Sequence, residues 1–175
     1  MAKIKHYVLV AITLGAIAAS SALLIGATNM FTKESIAQNE QNKINSGIAG
    51  IFGESAKISN ESSIENDDYK YVNYVYEISA NESEIGYAFR TTGSNMYGKV
   101  SLIIGFNIEN KFVSLSVVTN EQTYASTLVD NYIIPLNNGS RDVDDVTCGA
   151  TYGAKLVRDM VNEASKASLE KPWKE

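Results

Sequence analysis

Between Tyr7 and Ala27 the chain runs for 21 residues without a charge, YVLVAITLGAIAASSALLIGA. As a helix such a run is roughly 31 Å long, which matches the hydrocarbon thickness of a bilayer. A helix also satisfies its own backbone N–H and C=O groups, as lipid demands. A cleaved signal peptide is the competing reading. Signal peptides have shorter apolar cores, of about 7 to 15 residues, followed by a small-residue cleavage site. Ala18-Ala19-Ser20-Ser21-Ala22 imitates such a site, but the apolar run continues through Leu23, Leu24 and Ile25. No cysteine stands behind it to support lipoprotein processing. The segment therefore reads as a retained transmembrane helix. Lys3 and Lys5 precede it, while Lys33 behind it is neutralised by Glu34. By the positive-inside rule, residues 1–6 form a cytoplasmic tail and the chain from residue 28 onward lies outside. Gly15, Ala16, Ala18, Ala19, Ser20 and Ser21 would also let a second helix approach closely.

In a chain of 175 residues, the remainder beyond the span is enough for one modest domain. The formal net charge of −5, with no basic stripe interleaved with aromatics, argues against nucleic acid as a partner. Cys148 is the one cysteine, so neither an internal disulfide nor a CxxC site is possible. The one histidine, His6, lies in the N-terminal tail, which removes His-based catalysis and His-rich metal sites. Redox chemistry on such a chain would need an organic cofactor.

Thr32 to Phe52 places Ile36, Ile44, Ile48 and Ile51 at roughly helical spacing behind an N-cap candidate, with a break expected near Ser46-Gly47. Ser55 to Lys70 is rich in Ser, Asn, Asp and Glu and reads as a loop or hinge. From Tyr69 the pattern turns to alternation. KYVNYVYEI and EIGYAFRT read as strands, with a turn expected at Gly93-Ser94-Asn95. Lys99–Asn107 and Lys111–Thr119 make a hairpin about Glu109-Asn110. The stretch from Glu121 to Leu136 reads as mixed helix and loop, and Asn137-Asn138-Gly139 as a turn. Ala150 to Ala167 is an amphipathic helix, with Ala154, Val157, Met160, Val161 and Ala164 on one face. The expected class is α+β: a transmembrane helix at 7–27, a juxtamembrane helix and hinge at 28–68, an antiparallel-sheet domain with flanking helices at 69–170, and a tail at 171–175.

Asp145-Val146-Thr147-Cys148-Gly149-Ala150-Thr151 stands directly before that helix. Gly149 permits a tight turn and close approach of a ligand to the backbone, and Ala150 keeps the entrance small. Thr151 offers a hydroxyl among the free N–H groups of a helix N-terminus, a setting that favours phosphate. Asp145 is placed to cap backbone donors or to position an incoming group. The plainer reading is an ordinary helix start capped by Thr147 or Thr151. The tyrosines at 69, 71, 74 and 76 have faces on which a ring could stack, but alternating aromatics in a strand more commonly pack.

The segment from Asp145 to Thr151 resembles the D-x-x-(S/T)-G-A-T attachment motif of the FMN-binding domain family. That family includes the G-type component of the Rnf electron transport complex and the C-type component of the Na⁺-translocating NADH:quinone reductase. The order of elements is similar too: one N-terminal span, Thr32 to Ile36, GYAF at 86–89, and YGKVSLIIGFNIENKFVSLSVV from Tyr97. Glu121 and Thr123 sit where family members carry a Glu-Thr loop beside the flavin. Here Gln122 separates them, and the usual Pro-Gly-Leu-Gly continuation is missing. Cys148 stands where the family usually has Ser or Thr, and is read as a structural stand-in. The resemblance implies the FMN-binding domain fold, with FMN joined by a phosphoester to Thr151 by a separate flavin transferase. Gly149, Ala150, Cys148, Asp145, Glu121 and Thr123 would then border the cofactor. It further implies a phosphoprotein that relays electrons without being an independent catalyst. Its setting would be an ion-translocating ferredoxin:NAD oxidoreductase complex of the Rnf type, among other membrane subunits. Two rival readings are a free-standing cell-surface FMN protein for extracellular electron transfer and a non-redox anchored domain with a vestigial motif.

Overall fold

The computed structural model describes residues 2–65 and 67–174. Met1 and Glu175, the ends of the two expected tails, and Asn66 in the expected hinge lie outside the described residues. The chain divides into two compact units, Met1–Asn42 and Lys43–Glu175.

The first unit is helical throughout its described length, as part of helix α1, Ala2–Phe52. Within it, His6–Asn29 is long and apolar enough to cross a membrane. Three of its hydroxyls are internally satisfied: Thr13 donates to the Leu9 carbonyl at 2.6 Å, Ser20 to Ala16 at 2.7 Å and Thr28 to Leu24 at 2.8 Å. These back-bonds remove polar donors that would otherwise face hydrocarbon.

The second unit is α+β. Five strands, β1 Lys57–Ser63, β2 Val72–Ala80, β3 Ser83–Asn95, β4 Gly98–Asn107 and β5 Phe112–Asn120, form an antiparallel meander in sequence order. Two helices, α2 Ala125–Leu128 and α3 Ile134–Asn137, are joined by a π-helical turn at Val129–Ile133. Helix α4, Thr151–Glu170, closes the fold. One face of the sheet, with Val75, Tyr87, Phe89, Leu102 and Ile104, packs against α4 and the α2–α3 segment. The face of α4 expected to be apolar is the one buried there. The opposite sheet face, with Tyr76, Ile78, Ala88, Ile103 and Val118, packs against Ile44 and Ile48 of α1. Beyond α4, Trp173 stacks edge-on to Phe89 at 5.4 Å, which fastens the end of the chain to the sheet.

Three local expectations are corrected. Helix α1 continues through Ser46-Gly47 to Phe52. Gly47 is buried, and a Cβ there would come within 3.1 Å of Ser116 Oγ; the missing side chain lets the helix settle on the sheet. Tertiary packing thus outweighs the intrinsic cost of a helical glycine. The expected loop at 55–70 contains β1, which pairs with β2 from Lys57↔Ser79 to Ser63↔Tyr74. Its polarity follows from its place at the sheet edge, where most of its side chains are exposed and it buries no continuous apolar face. The turn expected at Gly93-Ser94-Asn95 falls later. All three residues are within β3, and pairing runs to Asn95↔Gly98 across Met96-Tyr97. Gly93 lies under α4, where a Cβ would meet Leu156 Cδ1 at 2.8 Å.

Candidate functional site

A cavity of roughly 270 Å³ opens where four pieces of chain meet. The β3–β4 turn contributes Tyr97, and the segment after β5 contributes Gln122, Tyr124 and Leu128. The motif loop contributes Gly149 and Ala150, and the first turn of α4 contributes Thr151, Tyr152 and Gly153. The β3–β4 turn lies tight against the segment after β5, because Gly98 (φ +131°) has no Cβ to strike the Glu121 carbonyl. Gly149 (φ +83°) turns the motif loop into the helix in the left-handed region that glycine enters without strain.

The loop between α3 and α4 is held from both sides. Arg141 donates to the carbonyls of Asp145 at 2.7 Å and Thr147 at 3.3 Å, and pairs with the Asp145 carboxylate at 2.9 Å. From the π-helical turn, Asn131 Nδ2 donates to the Cys148 carbonyl at 3.1 Å. Its neighbour Tyr132, fully buried, donates to the Val143 carbonyl at 2.5 Å. Burial pushes the Tyr132 phenol well above its ordinary value, so it remains a donor there.

No side chain caps α4. Its N-cap is Ala150, and the first N–H to find a helical carbonyl is that of Ala154, which donates to Ala150 at 3.0 Å. Neither Thr147 nor Thr151 serves as the cap, so the plainer reading of the motif does not describe this helix start. The N–H groups of Thr151, Tyr152 and Gly153 therefore have no intrahelical acceptor, and no acidic side chain stands in the first turn to neutralise the positive end of the dipole. The Thr151 hydroxyl makes no hydrogen bond among the described residues. An anion-favouring helix end and a free hydroxyl thus face one cavity.

Apart from Leu128, the other side chains of the lining are aromatic and amide. The ring of Tyr97 lies 5.5 Å from that of Tyr152 and 6.2 Å from that of Tyr124. Tyr124 and Tyr152 keep 54% and 59% of their surface exposed, so ring faces border the mouth. Lys155 Nζ lies 5.8 Å from the Tyr152 ring centroid. Gln122, only 7% exposed, donates through Nε2 to Asn95 Oδ1 at 3.1 Å and to the Gly98 carbonyl.

Of the residues singled out from sequence, Thr151, Ala150 and Gly149 lie on the cavity. Cys148 is buried in the core beneath the loop, and its carbonyl is engaged by Asn131. Asp145 is directed to Arg141 and to the Thr147 N–H, the latter at 3.3 Å, away from the lining. Glu121 and Thr123 do not line it, although Gln122 between them does. Thr123 is turned to the Tyr97 carbonyl, which accepts from its N–H at 2.9 Å. Tyr69 and Tyr76 are packing residues: Tyr69 donates to Glu170 at 2.5 Å, and Tyr76 is buried under the α1 face of the sheet. Sequence reasoning missed Gln122, Tyr97, Tyr124 and Tyr152 as lining residues. Tyr124 and Tyr152 each directly follow a threonine already singled out, which was the available signal. Among the described residues, no cluster of His, Cys, Asp and Glu is suited to a metal ion.

Residues 1–48 match the family model described as the RnfG N-terminal region. Over that stretch the chain is similar to the G-type component of the Rnf complex. The RnfG-like match covers the apolar span and most of α1, and ends before the sheet and the cavity. No curated protein matches the chain.

Proposed function

We propose that the chain is an Rnf-type, membrane-anchored flavoprotein subunit whose Thr151 hydroxyl carries FMN through a phosphoester. The observation that carries this reading is the uncapped start of α4, with the unengaged Thr151 hydroxyl opening onto the cavity. The RnfG-like N-terminal region supports the same type of subunit independently. The residues present suit such a group. First-turn N–H groups of α4 and the helix dipole favour the phosphate, and the Gly149-Ala150 turn leaves room for it beside Thr151. Whole drug-sized ligands fill pockets of about 300–1,000 Å³, so this cavity suits the phosphate end, with the exposed faces of Tyr124 and Tyr152 left for a ring system at the mouth.

When bound, FMN supplies the electron-carrying chemistry. The chain's own residues hold and orient it: Thr151 by a covalent bond, α4 by its dipole, and the tyrosines by their ring faces. Lys3 and Lys5 place the N-terminus in the cytoplasm and the flavin domain on the outer face, where covalent attachment prevents loss of the cofactor. A flavin transferase is required for maturation, and other membrane subunits supply the electron donor and acceptor. The test is in-gel flavin fluorescence after denaturation, on the full chain made together with the transferase. A fluorescent band and an intact mass raised by one FMN less water are expected, with both lost in Thr151→Ala. A dark wild-type band would sink the proposal, and a fluorescent Thr151→Ala band would move the attachment point.

A further inference from the structure

Gln122 is the one buried polar side chain on the cavity wall among the described residues. Its two Nε2 protons are both committed, to Asn95 Oδ1 at 3.1 Å and to the Gly98 carbonyl. That commitment fixes the amide plane and leaves Oε1 as the only hydrogen-bonding atom the group has to offer. Oε1 faces Gly153, lying 3.3 Å from where a Cβ on that glycine would be, and no donor among the described residues reaches it. A ligand donor on the cavity side would complete the hydrogen bonding of this amide.

We propose that Gln122 is a specificity-determining residue whose Oε1 accepts a hydrogen bond from a hydroxyl on the polyol chain of a phosphate-linked ligand. The inference rests on the FMN reading above and adds to it the feature by which the site tells that ligand from other phosphate esters. Position decides which part of the ligand is read. Gly153 is two residues beyond Thr151, so Oε1 stands at the helix end where the phosphate is held. The ligand atoms adjoining that phosphate belong to the polyol chain, whose hydroxyls donate. The aromatic ring lies farther along the ligand, and the tyrosine faces lie at the mouth. Gln122 cannot swing to offer Nε2 instead without breaking both of its bonds, so a chain lacking donors gains nothing there. Selectivity of this kind is a difference between two ligands, with the helix end binding both alike.

The test titrates the full, flavin-free chain in detergent with FMN and with a flavin whose ring nitrogen carries an unhydroxylated pentyl phosphate, followed by flavin fluorescence. Wild type is expected to prefer FMN by about fivefold, the size of one net hydrogen bond. In Gln122→Leu the preference falls to about one, even where both affinities drop together through loss of the Asn95 and Gly98 bonds. A preference retained in Gln122→Leu, or absent in wild type, would overturn the inference while leaving FMN binding intact. Binding of neither ligand to wild type would instead count against the FMN reading itself. Should Gln122→Leu fail to fold, the wild-type side-chain amide resonances of Gln122 decide. A shift with FMN and none with the pentyl analogue supports the inference. Equal shifts with both, or none with FMN, defeat it.

Discussion

Gly149 carries more of the site's geometry than its size suggests. Its φ of +83° lies in the left-handed region, and an added Cβ would come within 3.3 Å of Thr127 Cγ2. For an alanine, the backbone term alone is about 1–2 kcal/mol. Gly149→Ala is therefore expected to lower stability by that amount in a denaturant titration of the full chain and, on the FMN reading proposed above, to reduce flavin attachment because Thr151 is two residues on. Gly149→Asn should cost less, since asparagine tolerates the left-handed region better. Equal stability of all three proteins would mean the turn is not held as described. The turn at Gly149 and the helix start at Thr151 were legible in the sequence, because glycine enters the left-handed region without strain and an amphipathic stripe follows. The roles of Gln122 and Tyr97 were not, because they depend on the β3–β4 turn meeting the segment after β5. Tyr97 and Gln122 are neighbours only through long-range pairing, which leaves no periodic trace.

At the level of elements, the legibility of each in the sequence tracks the apolar surface it buries. Helix α4 was readable because its stripe of Ala154, Val157, Met160, Val161 and Ala164 repeats at helical spacing and is buried throughout. The β4–β5 hairpin was readable because β4 is a run of mostly apolar residues buried along nearly its whole length and β5 alternates through Ser114-Leu115-Ser116-Val117, with Glu109-Asn110 left between them as a bend. Strand β1 was not, because an edge strand exposed on most of its length has no apolar alternation to show. Met160 lies at the centre of the α4 contact and is fully buried. Met160→Ala should cost about 2–5 kcal/mol through lost transfer energy and the cavity left behind. Calorimetry of the full chain in detergent would register this as a clear fall in melting temperature. A loss below about 1 kcal/mol would mean that α4 shifts to fill the gap, which would displace Thr151 and, on the FMN reading proposed above, show as reduced flavin attachment.

Across the whole molecule, tyrosines set how stability responds to alkali. Burial raises Tyr132 and Tyr76, while burial and the Glu170 carboxylate raise Tyr69, each from an ordinary value of 10.0. The raised value means that the folded state keeps the neutral phenol where the unfolded chain already ionises. The unfolded state then binds fewer protons, so unfolding grows more favourable as pH increases. Their contribution is fully present below about pH 10 and is lost progressively above it. The three phenols tie together distant parts of the second unit: Tyr132 grips the motif loop, Tyr69 the end of α4, and Tyr76 packs against the α1 face. The melting temperature of the full chain is thus expected to hold between neutral pH and about pH 10, then to fall. Tyr132→Phe separates two effects. It leaves the Val143 carbonyl without its partner, costing roughly 1–3 kcal/mol at neutral pH. It also removes one of the ionisations, so its decline above about pH 10 should be shallower than that of wild type. Parallel alkaline declines in the two proteins would show that Tyr132 does not remain neutral in the fold, and the grip it exerts on the loop before Thr151 would have to be reassigned.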